Sequence, residues 1–463
     1  MDAGMRYADS RTYTMMKKPI FMPRWLAAAY VAFALATPLC AGAQQRMPSD
    51  VVKDVNESYR LLVNTPYRKV EAQSLLDAAR SALIEATHKR GAKVTVPDMR
   101  VLTDPEATMS LLDQSIETVA DAAHGSATEY AYAAIVGMAK SIEDRWTVFM
   151  KPDEFKAFND ALDPQKISGI GVLIEQDPVT QLVRTSYVVP GTPADRAGLQ
   201  TGDTFVAIDG TSTKGISQES ASKLLRGKAG SVVHIDVARG DVSTAHDVAI
   251  TRSEVQPPTV IYKMLPGNVG YMYVIAFGRA TPFEFDMGLA RLKNAGARAL
   301  VLDLRNDGGG YVDSALEISS RFIANKALVT VEQRGTAAQT IRAEDDTRIN
   351  VPVTVLVNNY TASASEITAG ALQDDGIGLL VGTKTFGKGV MQTLTPLSDG
   401  SAIKITTAHY LTPHGHDINL RGIQPDLHID ENQHASFGEL GKDAQLRAAL
   451  ALLQKKIADA AKP

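Results

Sequence analysis

The most informative stretch of the chain is residues 351–392, VPVTVLVNNYTASASEITAGALQDDGIGLLVGTKTFGKGVMQ. Its first part, VPVTVLVN, is an apolar, β-branched run that is typical of a buried strand. The next part has apolar residues at helical spacing, able to share one face: Ala364, Ile367, Ala371 and Leu372. A second strand-like run, GLLVG, then leads into a glycine-rich turn. The pattern predicts a strand, a helix and a second strand, with Ser363 and Ser365 in the first turn of the helix.

Two side chains of this stretch indicate acyl-transfer chemistry. Ser363 lies at a predicted helix N-terminus, where backbone N–H groups and the positive end of the helix dipole can stabilise an oxyanion. Lys388 lies between two glycines that let the backbone bend, and burial favours a neutral lysine that can accept a hydroxyl proton. A structural explanation is also open, because Ser363-x-x-Glu366 has the form of a capping box that satisfies a backbone N–H. The pair predicts a serine nucleophile with a lysine base.

The same lysine belongs to a near match to a phosphate-binding loop. Gly382-x-x-x-x-Gly387-Lys388 fits that motif up to its last position, where Gly389 stands in place of the Ser or Thr that binds Mg²⁺. The residues that follow, GVMQTLTPL, are typical of a strand, whereas a phosphate-binding loop opens a helix. The sequence therefore argues against nucleotide binding at this turn.

The TASASE segment around Ser363, the TFGKG turn around Lys388 and the glutamine that follows resemble the signature of the carboxy-terminal processing peptidases, also called tail-specific proteases. In that family the nucleophile lies 25 residues before the lysine, which selects Ser363 over Ser365. The glutamine four residues after the lysine corresponds to Gln392. The resemblance implies Ser363 as nucleophile, Lys388 as base and Gln392 as the residue that orients the lysine.

A second segment, ARALVLDLRNDGGGYVDSALEISSRFI at 297–323, predicts a buried strand, a tight glycine turn and an amphipathic helix. It resembles the family's DLRxNPGG element. In relatives a backbone N–H of that turn and the N–H of the residue after the serine form the oxyanion hole. The resemblance therefore implies Gly309 or Gly310, together with Ala364, as the donors.

The glycine turn departs from the family pattern at two positions, since Asp307 and Gly308 stand where the family has Asn and Pro. A glycine in place of proline leaves the unfolded turn more conformations, so the donor is less preorganised. A dinucleotide-binding loop is the alternative for this segment. Three consecutive glycines do not give the GxGxxG spacing of such a loop, however, and the peptidase interpretation is favoured.

Residues 168–253 resemble a PDZ domain of the kind found in periplasmic proteases. ISGIGVLIEQ and QLVRTSYV are typical of strands, PGTPADRAGLQTGDTFVAIDG follows, and a helix around QESASKLLRG precedes the strand SVVHIDVARG. The resemblance implies that a C-terminal carboxylate is received by the backbone N–H groups of a loop formed by Gly169, Ile170, Gly171 and Val172. The adjacent strand edge is expected to accept the peptide by β-augmentation. Structural requirements alone would also explain these glycines.

Residues 1–43 have the features of a secretory signal, because a basic segment precedes the apolar run WLAAAYVAFALATPLC and the small residues AGA follow. Cleavage after Ala43 predicts an exported, periplasmic protein. An uncleaved leader predicts association with the inner membrane instead. The true start is open between the first residue, Met15 and Met16.

Cys40, the single cysteine, lies within this leader. A lipoprotein site is disfavoured because Leu39 occupies the preceding position, where a small residue is wanted. The chain after the leader has no cysteine, so it can form no disulfide and no cysteine-based catalytic or metal site.

The predicted fold class is α+β and multidomain. Residues 44–167 carry apolar residues at helical spacing and predict a helical N-terminal region with a cap segment. The PDZ domain follows, then a serine protease core at 254–430, for which the resemblance implies a ClpP/crotonase-like α/β fold. Residues 431–463 predict a C-terminal helical tail, interpreted as a surface helix. A metal site built from the histidines does not follow a common zinc spacing; these are His409, His414 and His416.

Together these features predict an exported serine endopeptidase that cleaves protein substrates near the C-terminus after PDZ capture of that terminus. No metal or organic cofactor is expected. The predicted partners are proteins or peptides with free C-termini, an adaptor or activator protein, and a second copy bound through the N-terminal helices. The formal net charge of −4 gives no support to nucleic-acid binding.

Two other classes of function stay open. A non-catalytic PDZ peptide-binding scaffold is the first, and the intact Ser363, Lys388 and Gln392 argue against it. An acyl-transfer or hydratase enzyme of the crotonase-like class is the second. It would need a coenzyme A pocket, whereas the PDZ pattern favours peptides.

Overall fold

The computed structural model of the protein describes residues 46–343, 349–430 and 438–460. The predicted leader with Cys40, its cleavage site and the alternative starts lie outside the described residues. Within those ranges, no helix combines the length and apolar character needed to cross a membrane. A helical region, a small β domain and an α/β core follow one another along the chain, so the predicted fold class is confirmed.

The N-terminal region is a group of four helices followed by a strand and a fifth helix. These elements are α1 (Ser49–Asn64), α2 (Ala72–Lys89), α3 (Pro105–Ala122), α4 (Ala127–Lys140), β1 (Val148–Met150) and α5 (Pro152–Leu162). The apolar stripes of the first four helices pack against one another and bury Leu62, Leu83 and Ile116 completely. Helix α3 begins after Asp104, whose carboxylate accepts the Glu106 N–H and caps the helix.

The predicted PDZ region contains short strands and two short helices. They are β2 (Ile167–Gly169), β3 (Val172–Gln176), β4 (Val183–Val188), α6 (Pro193–Arg196), β5 (Thr204–Ile208), β6 (Thr211–Ser212), α7 (Gln218–Leu225), β7 (Val232–Ala238), a 3₁₀ turn (Val242–Thr244), β8 (His246–Thr251) and β9 (Ser253–Val255). An antiparallel sheet has the order β3-β4-β5-β7-β8. Every second residue of β4 is buried, as a half-buried strand requires. Strand β3 is one of the two edge strands of this sheet among the described residues, and β8 is the other.

The α/β core carries the remaining elements. They are β10 (Val260–Leu265), β11 (Val269–Val274), α8 (Thr281–Asn294), β12 (Ala299–Asp303), α9 (Val312–Ser320), β13 (Ala327–Gln333), β14 (Gln339–Arg342), β15 (Val353–Val357), α10 (Ala364–Asp374), β16 (Gly378–Gly382), β17 (Val390–Pro396), β18 (Ala402–Leu411), β19 (Leu427–His428) and α11 (Ala444–Ala460). The main sheet has the order β10-β11-β12-β15-β16-β19 and is parallel except for the β10–β11 pair. Strands β12 and β15 are buried at every position because both faces of the sheet are covered.

Helices α8, α9 and α10 cover one face of the main sheet, through a core that includes Phe285, Ile318 and Ile367. A second sheet, in the order β1-β18-β13-β14 with β17 also paired to β18, lies beside them. Strand β1 places Val148 opposite Lys404 of β18 and thereby joins the N-terminal region to the core by backbone hydrogen bonds.

Helix α11 covers the other face of the main sheet. Its Leu446 and Leu453 are fully buried in a cluster with residues of the sheet. Arg305 anchors the start of this helix, because it forms ion pairs with Asp303 at 2.6 Å and with Asp443 at 2.7 Å. Helix α11 lies within the predicted C-terminal tail. One stripe of it packs on the sheet, and its outer face, with Lys455 and Lys456, is exposed.

Candidate active site

Three loops meet at one edge of the main sheet, where β12, β15 and β16 end in parallel register. The loop after β12 carries the glycine turn at 308–310, the loop after β15 carries Ser363, and the loop after β16 carries Lys388. Sites of open parallel sheets form at the carboxyl ends of the strands because the loops converge there.

Hydrogen bonds tie the first two loops together. The Asn306 N–H donates to Asn358 Oδ1 at 3.0 Å, and Asn358 Nδ2 donates back to Asn306 Oδ1 at 2.9 Å. The Ala362 N–H donates to the backbone carbonyl of Asp307 at 3.0 Å. The residue before the serine is therefore fixed directly to the glycine turn.

Ser363 has an unusual backbone conformation, with φ of 58° and ψ of −116° at the start of α10. Such positive-φ conformations cost a non-glycine residue about 1–3 kcal/mol and persist where the surroundings enforce them, often at functional sites. Gly309 packs directly against this turn. A Cβ at Gly309 would lie 2.6 Å from the Ala362 oxygen and 2.8 Å from the Ala364 nitrogen, so only glycine allows the two loops to approach this closely.

Ser363 and Lys388 line the same cavity, which has a volume of about 470 Å³. Gln392 and the glycine turn at 308–310 line it as well. Among the described residues, the Ser363 hydroxyl and the Lys388 amine are not hydrogen-bonded to each other, and the lysine Nζ lies over the indole ring of Trp146. The structure therefore brings the predicted residues to one cavity, with the lysine placed between the serine loop and Trp146.

The surroundings of Lys388 favour a neutral amine. Burial, supported by the positive charge of Lys404, lowers the pKa of Lys388 to about 8, and the Glu366 carboxylate opposes this shift. Lys404 lies on β18, and its own pKa is lowered by burial. A lysine in this range can act as a base near neutral pH.

Glu366 connects the serine loop to the lysine loop. Its buried carboxylate accepts the backbone N–H groups of Ser363 at 2.9 Å, Gly387 at 2.8 Å and Lys388 at 2.9 Å. It also accepts the Thr385 hydroxyl at 2.5 Å. The capping-box interpretation accounts for the contact with Ser363 alone. The other three contacts of Glu366 depend on the fold. The spacing of the capping box was therefore the one signal in the sequence for Glu366.

Tyr410 forms a second connection between the same loops. Its buried hydroxyl lies 3.1 Å from the carbonyl oxygen of Ser363 and also contacts the carbonyl oxygen of Lys388. The sequence analysis missed Tyr410 as a site residue, because a tyrosine on a strand far along the chain gives no local signal of this contact.

The predicted oxyanion donors lie next to each other. Gly309 abuts the Ala364 nitrogen, as described above, and its own N–H donates to the Asp307 carboxylate at 2.8 Å. Gly310 has a positive φ of 153°, which favours glycine, and pairs with Phe277 in an isolated bridge. Because the Gly309 N–H is already engaged, Gly310 is the better candidate of the two glycines for a free donor beside Ala364.

Gln392 lies on β17 and faces the cavity. Its side-chain amide donates to the carbonyl of Val390 at 3.2 Å. The structure therefore places Gln392 near the lysine loop, and its orienting role stays a prediction.

The predicted carboxylate loop of the PDZ region joins β2 to the edge strand β3. Gly171 has φ of +85°, and a Cβ there would lie 2.3 Å from Thr192, so this position requires glycine. A groove runs between β3 and α7, where Gln218 Nε2 donates to the Ile174 carbonyl at 2.8 Å. The groove is lined by the whole predicted loop, from Gly169 to Val172, and by Arg226.

The histidines do not form a metal centre in the described ranges, where no group of three or more His, Cys, Asp or Glu residues could hold an ion. His409 contacts Asp417 at 3.1 Å instead.

Comparisons with known proteins agree with these features. The sequence profile of peptidase family S41 matches residues 268–429, and a PDZ domain profile matches residues 184–239. The chain is 36% identical to a carboxyl-terminal-processing protease of Picosynechococcus sp. over 70% of this chain and 79% of that protein. A carboxyl-terminal-processing protease of Synechocystis sp. is 35% identical over 72% and 79%, respectively. The solved structure of a photosystem II D1 C-terminal processing protease is 29% identical, covers 83% of this chain and 94% of that chain, and has a TM-score of 0.44.

Proposed function

This chain belongs to peptidase family S41 and is a serine peptidase of the carboxyl-terminal-processing type, and from that premise we propose that Ser363 is its nucleophile and Lys388 its general base. The observation that carries the assignment is the Glu366 carboxylate, which accepts the backbone N–H groups of both residues at 2.9 Å. A serine and a lysine whose backbones share one buried anchor, at the wall of one cavity, support this pairing, and proton transfer requires the two side chains to come within hydrogen-bonding reach.

The proposed reaction has two halves. The Ser363 oxygen bonds to the carbonyl carbon of the scissile peptide while its proton passes to neutral Lys388. The carbonyl electron pair moves to the oxygen, and the N–H groups of Ala364 and of the Gly309–Gly310 turn stabilise that oxyanion. The C–N bond then breaks, and the leaving amine takes the proton from Lys388. Lys388 next deprotonates a water molecule, whose oxygen bonds to the acyl carbon. The ester C–O bond then breaks, the Ser363 oxygen takes the proton back from Lys388, and the substrate leaves as a carboxylic acid.

Gln392 is assigned a positioning role in this scheme. Its side chain lines the cavity that holds Ser363 and Lys388. A glutamine amide oxygen can accept a hydrogen bond from the lysine and so direct the amine toward the serine.

We further propose that the PDZ region captures the free C-terminus of the substrate. Strand β3 is an unpaired edge within the described residues, so an extended peptide can pair with it. The loop from Gly169 to Val172 lies at the end of this edge, and the Arg226 side chain lines the same groove with a positive charge. A backbone loop next to a cation suits a carboxylate.

The predicted leader supports an exported, periplasmic location for this activity, and cleavage after Ala43 is part of the proposal. An adaptor protein and self-association through the N-terminal helices stay predictions.

The test is cleavage of an unfolded protein that carries either a free or an amidated C-terminus. We expect the parent protein to cut it and both Ser363→Ala and Lys388→Ala to be inactive. Lys384→Ala is the matched control, because this exposed lysine lies on the same loop and should be dispensable. PDZ capture is supported if the parent protein prefers the free C-terminus and Arg226→Ala removes that preference.

Two results would overturn parts of this proposal. Cleavage by Lys388→Ala would exclude the lysine base. A parent protein that binds the free-ended peptide without cutting it, with or without added cell extract, would favour the scaffold alternative.

A further inference from the structure

Asp307 is a buried acid at the turn that carries the candidate oxyanion donors. The residue is inaccessible to solvent and is one of those that line the Ser363 cavity. Its Oδ1 accepts the Gly309 N–H at 2.8 Å. Its Oδ2 has no hydrogen-bond partner among the described residues. Asp307 thus holds the glycine turn with one oxygen and leaves the other unsatisfied.

The backbone of the same residue holds the serine loop. Its carbonyl accepts the Ala362 N–H at 3.0 Å and the Ser365 hydroxyl at 3.1 Å. Any movement of Asp307 is therefore transmitted to both sides of the proposed oxyanion site.

No cation within the described residues forms an ion pair with Asp307. Arg305, two residues earlier, is committed to Asp303 and Asp443. The Tyr273 phenol on β11 lies within electrostatic range of the Asp307 carboxyl, and the titratable residues Lys388 and Lys404 line the same cavity as Asp307. An ionised carboxylate that is buried without an ion pair is strongly disfavoured, so the neutral acid is the stable form.

We propose that Asp307 acts as a neutral carboxylic acid that positions the glycine turn, and that loss of its proton switches the peptidase off. This inference rests on the proposed function, because it concerns the same oxyanion site. A protonated carboxyl accepts the Gly309 N–H through its carbonyl oxygen, as the amide of the family's usual Asn would. An ionised Asp307 would place a negative charge beside the position where the oxyanion forms, and like charges repel strongly in a water-poor site.

The electrostatics agree with this geometry. Burial raises the pKa of Asp307 to about 8, against the opposing hydrogen bond from the Gly309 N–H and the nearby Ser365 hydroxyl. Asp307 is therefore neutral below about pH 8 and ionises as the pH rises through that value.

The first test compares kcat/KM against pH for the parent and for Asp307→Asn. On the alkaline side we expect the parent value to fall about tenfold per pH unit, as for loss of one essential proton. Asp307→Asn should still cleave the substrate and should lose the alkaline fall, because an amide does not ionise. Asp313→Asn is the matched control: it removes an exposed carboxylate from the same cavity and should keep the fall.

Three outcomes separate this proposal from the proposed function. If Ser363→Ala still cleaves, the proposed function fails. If Ser363→Ala is inactive while Asp307→Asn shows the parental alkaline fall, the Asp307 inference alone fails. An Asp307→Asn variant that folds but is inactive at every pH also overturns the inference, because the neutral amide should replace the neutral acid.

The second test needs no catalysis. In an inactive Ser363→Ala background, the melting temperature is measured against pH with and without Asp307→Asn. The folded protein retains the Asp307 proton above the pH at which the unfolded chain loses it. The melting temperature of the protein with Asp307 should then fall, relative to that of the protein with Asp307→Asn, as the pH rises from about 4 to about 8. The difference between the two melting temperatures should level off above that range. A difference that does not change with pH would contradict a raised pKa at Asp307.

Discussion

The Nζ of Lys388 lies 4.7 Å from the centre of the Trp146 indole ring. Trp146 belongs to the turn before β1, and Asp144 holds that turn by accepting the backbone N–H groups of Trp146 and Thr147 at 2.9 and 2.6 Å. The Phe386 ring, from the lysine loop itself, meets the indole edge-on at 5.9 Å. The N-terminal region therefore supplies an aromatic wall for the proposed base.

The first prediction concerns the kinetic effect of this wall. The indole packs against the Lys388 side chain, and a misplaced catalytic group costs roughly tenfold or more in rate, so Trp146→Leu should lower kcat about tenfold by freeing the lysine side chain. Trp146→Phe retains an aromatic face and should lose less than about threefold. KM should change little in both variants, since Trp146 does not line the cavity that holds Ser363. Steady-state kinetics check this, with circular dichroism to verify folding. Parental kcat in Trp146→Leu would contradict it.

A spectroscopic measurement tests the same contact without catalysis. The chain has two tryptophans, so Trp25→Phe leaves Trp146 as the single reporter. We expect its fluorescence to change in one step with a midpoint at about pH 8, as Lys388 loses its proton. Lys388→Arg should remove the step, because arginine stays charged over this range. A step that survives in Lys388→Arg would refute the prediction.

The acid side of the pH profile should report Lys388. The base must be neutral, so kcat/KM should rise about tenfold per pH unit until the pH reaches about 8. Lys404→Met removes a nearby positive charge. Its loss should raise the pKa of Lys388, shift the rise in kcat/KM to higher pH and lower the activity at pH 7. Lys404→Arg keeps the charge and should keep the profile. The idea fails if Lys404→Met leaves the acid limb where it is in the parent.

Glu366→Gln should damage both activity and stability. The carboxylate accepts four donors, and a glutamine must turn its NH₂ group toward one of them, leaving buried N–H groups unsatisfied. We expect a loss of about 1–3 kcal/mol in the free energy of unfolding and, since both loops shift, about 100-fold in kcat. Urea denaturation and kinetics measure these quantities. Glu317→Gln, at an exposed site on α9, is the control, and equal behaviour of the two variants would rule out the anchor role.

Gly309→Ala and Gly308→Ala form a matched pair. A Cβ at Gly309 would collide with the backbone of Ala362 and Ala364 at positive φ, whereas a Cβ at Gly308 meets no atom within 4 Å. Gly309→Ala should therefore lose about 2–4 kcal/mol of unfolding free energy and nearly all activity. Gly308→Ala should fold as well as the parent. Thermal unfolding of both variants decides the matter, and a stable, active Gly309→Ala would show that the loops do not approach as described.

Much of this protein was predictable because its signals are local. The β-branched run at 353–357, the helical spacing after Ser363 and the closely spaced motif around Lys388 each depend on residues a few positions apart. The family, the fold class and the peptidase activity followed from them and are confirmed. The roles of the individual site residues and the leader's function stay predictions.

The amino-acid sequence by itself determined the elements and the chemical identity of the candidate site, since hydrophobic period and side-chain type are properties of short segments. Only the tertiary structure decided that Glu366 anchors two loops, that Trp146 covers the lysine, that Asp307 is buried without an ion pair, and that α11 seals the sheet. The physical reason is that burial and electrostatic environment are set by neighbours in space. Those neighbours come from segments tens or hundreds of residues away, which no local pattern encodes.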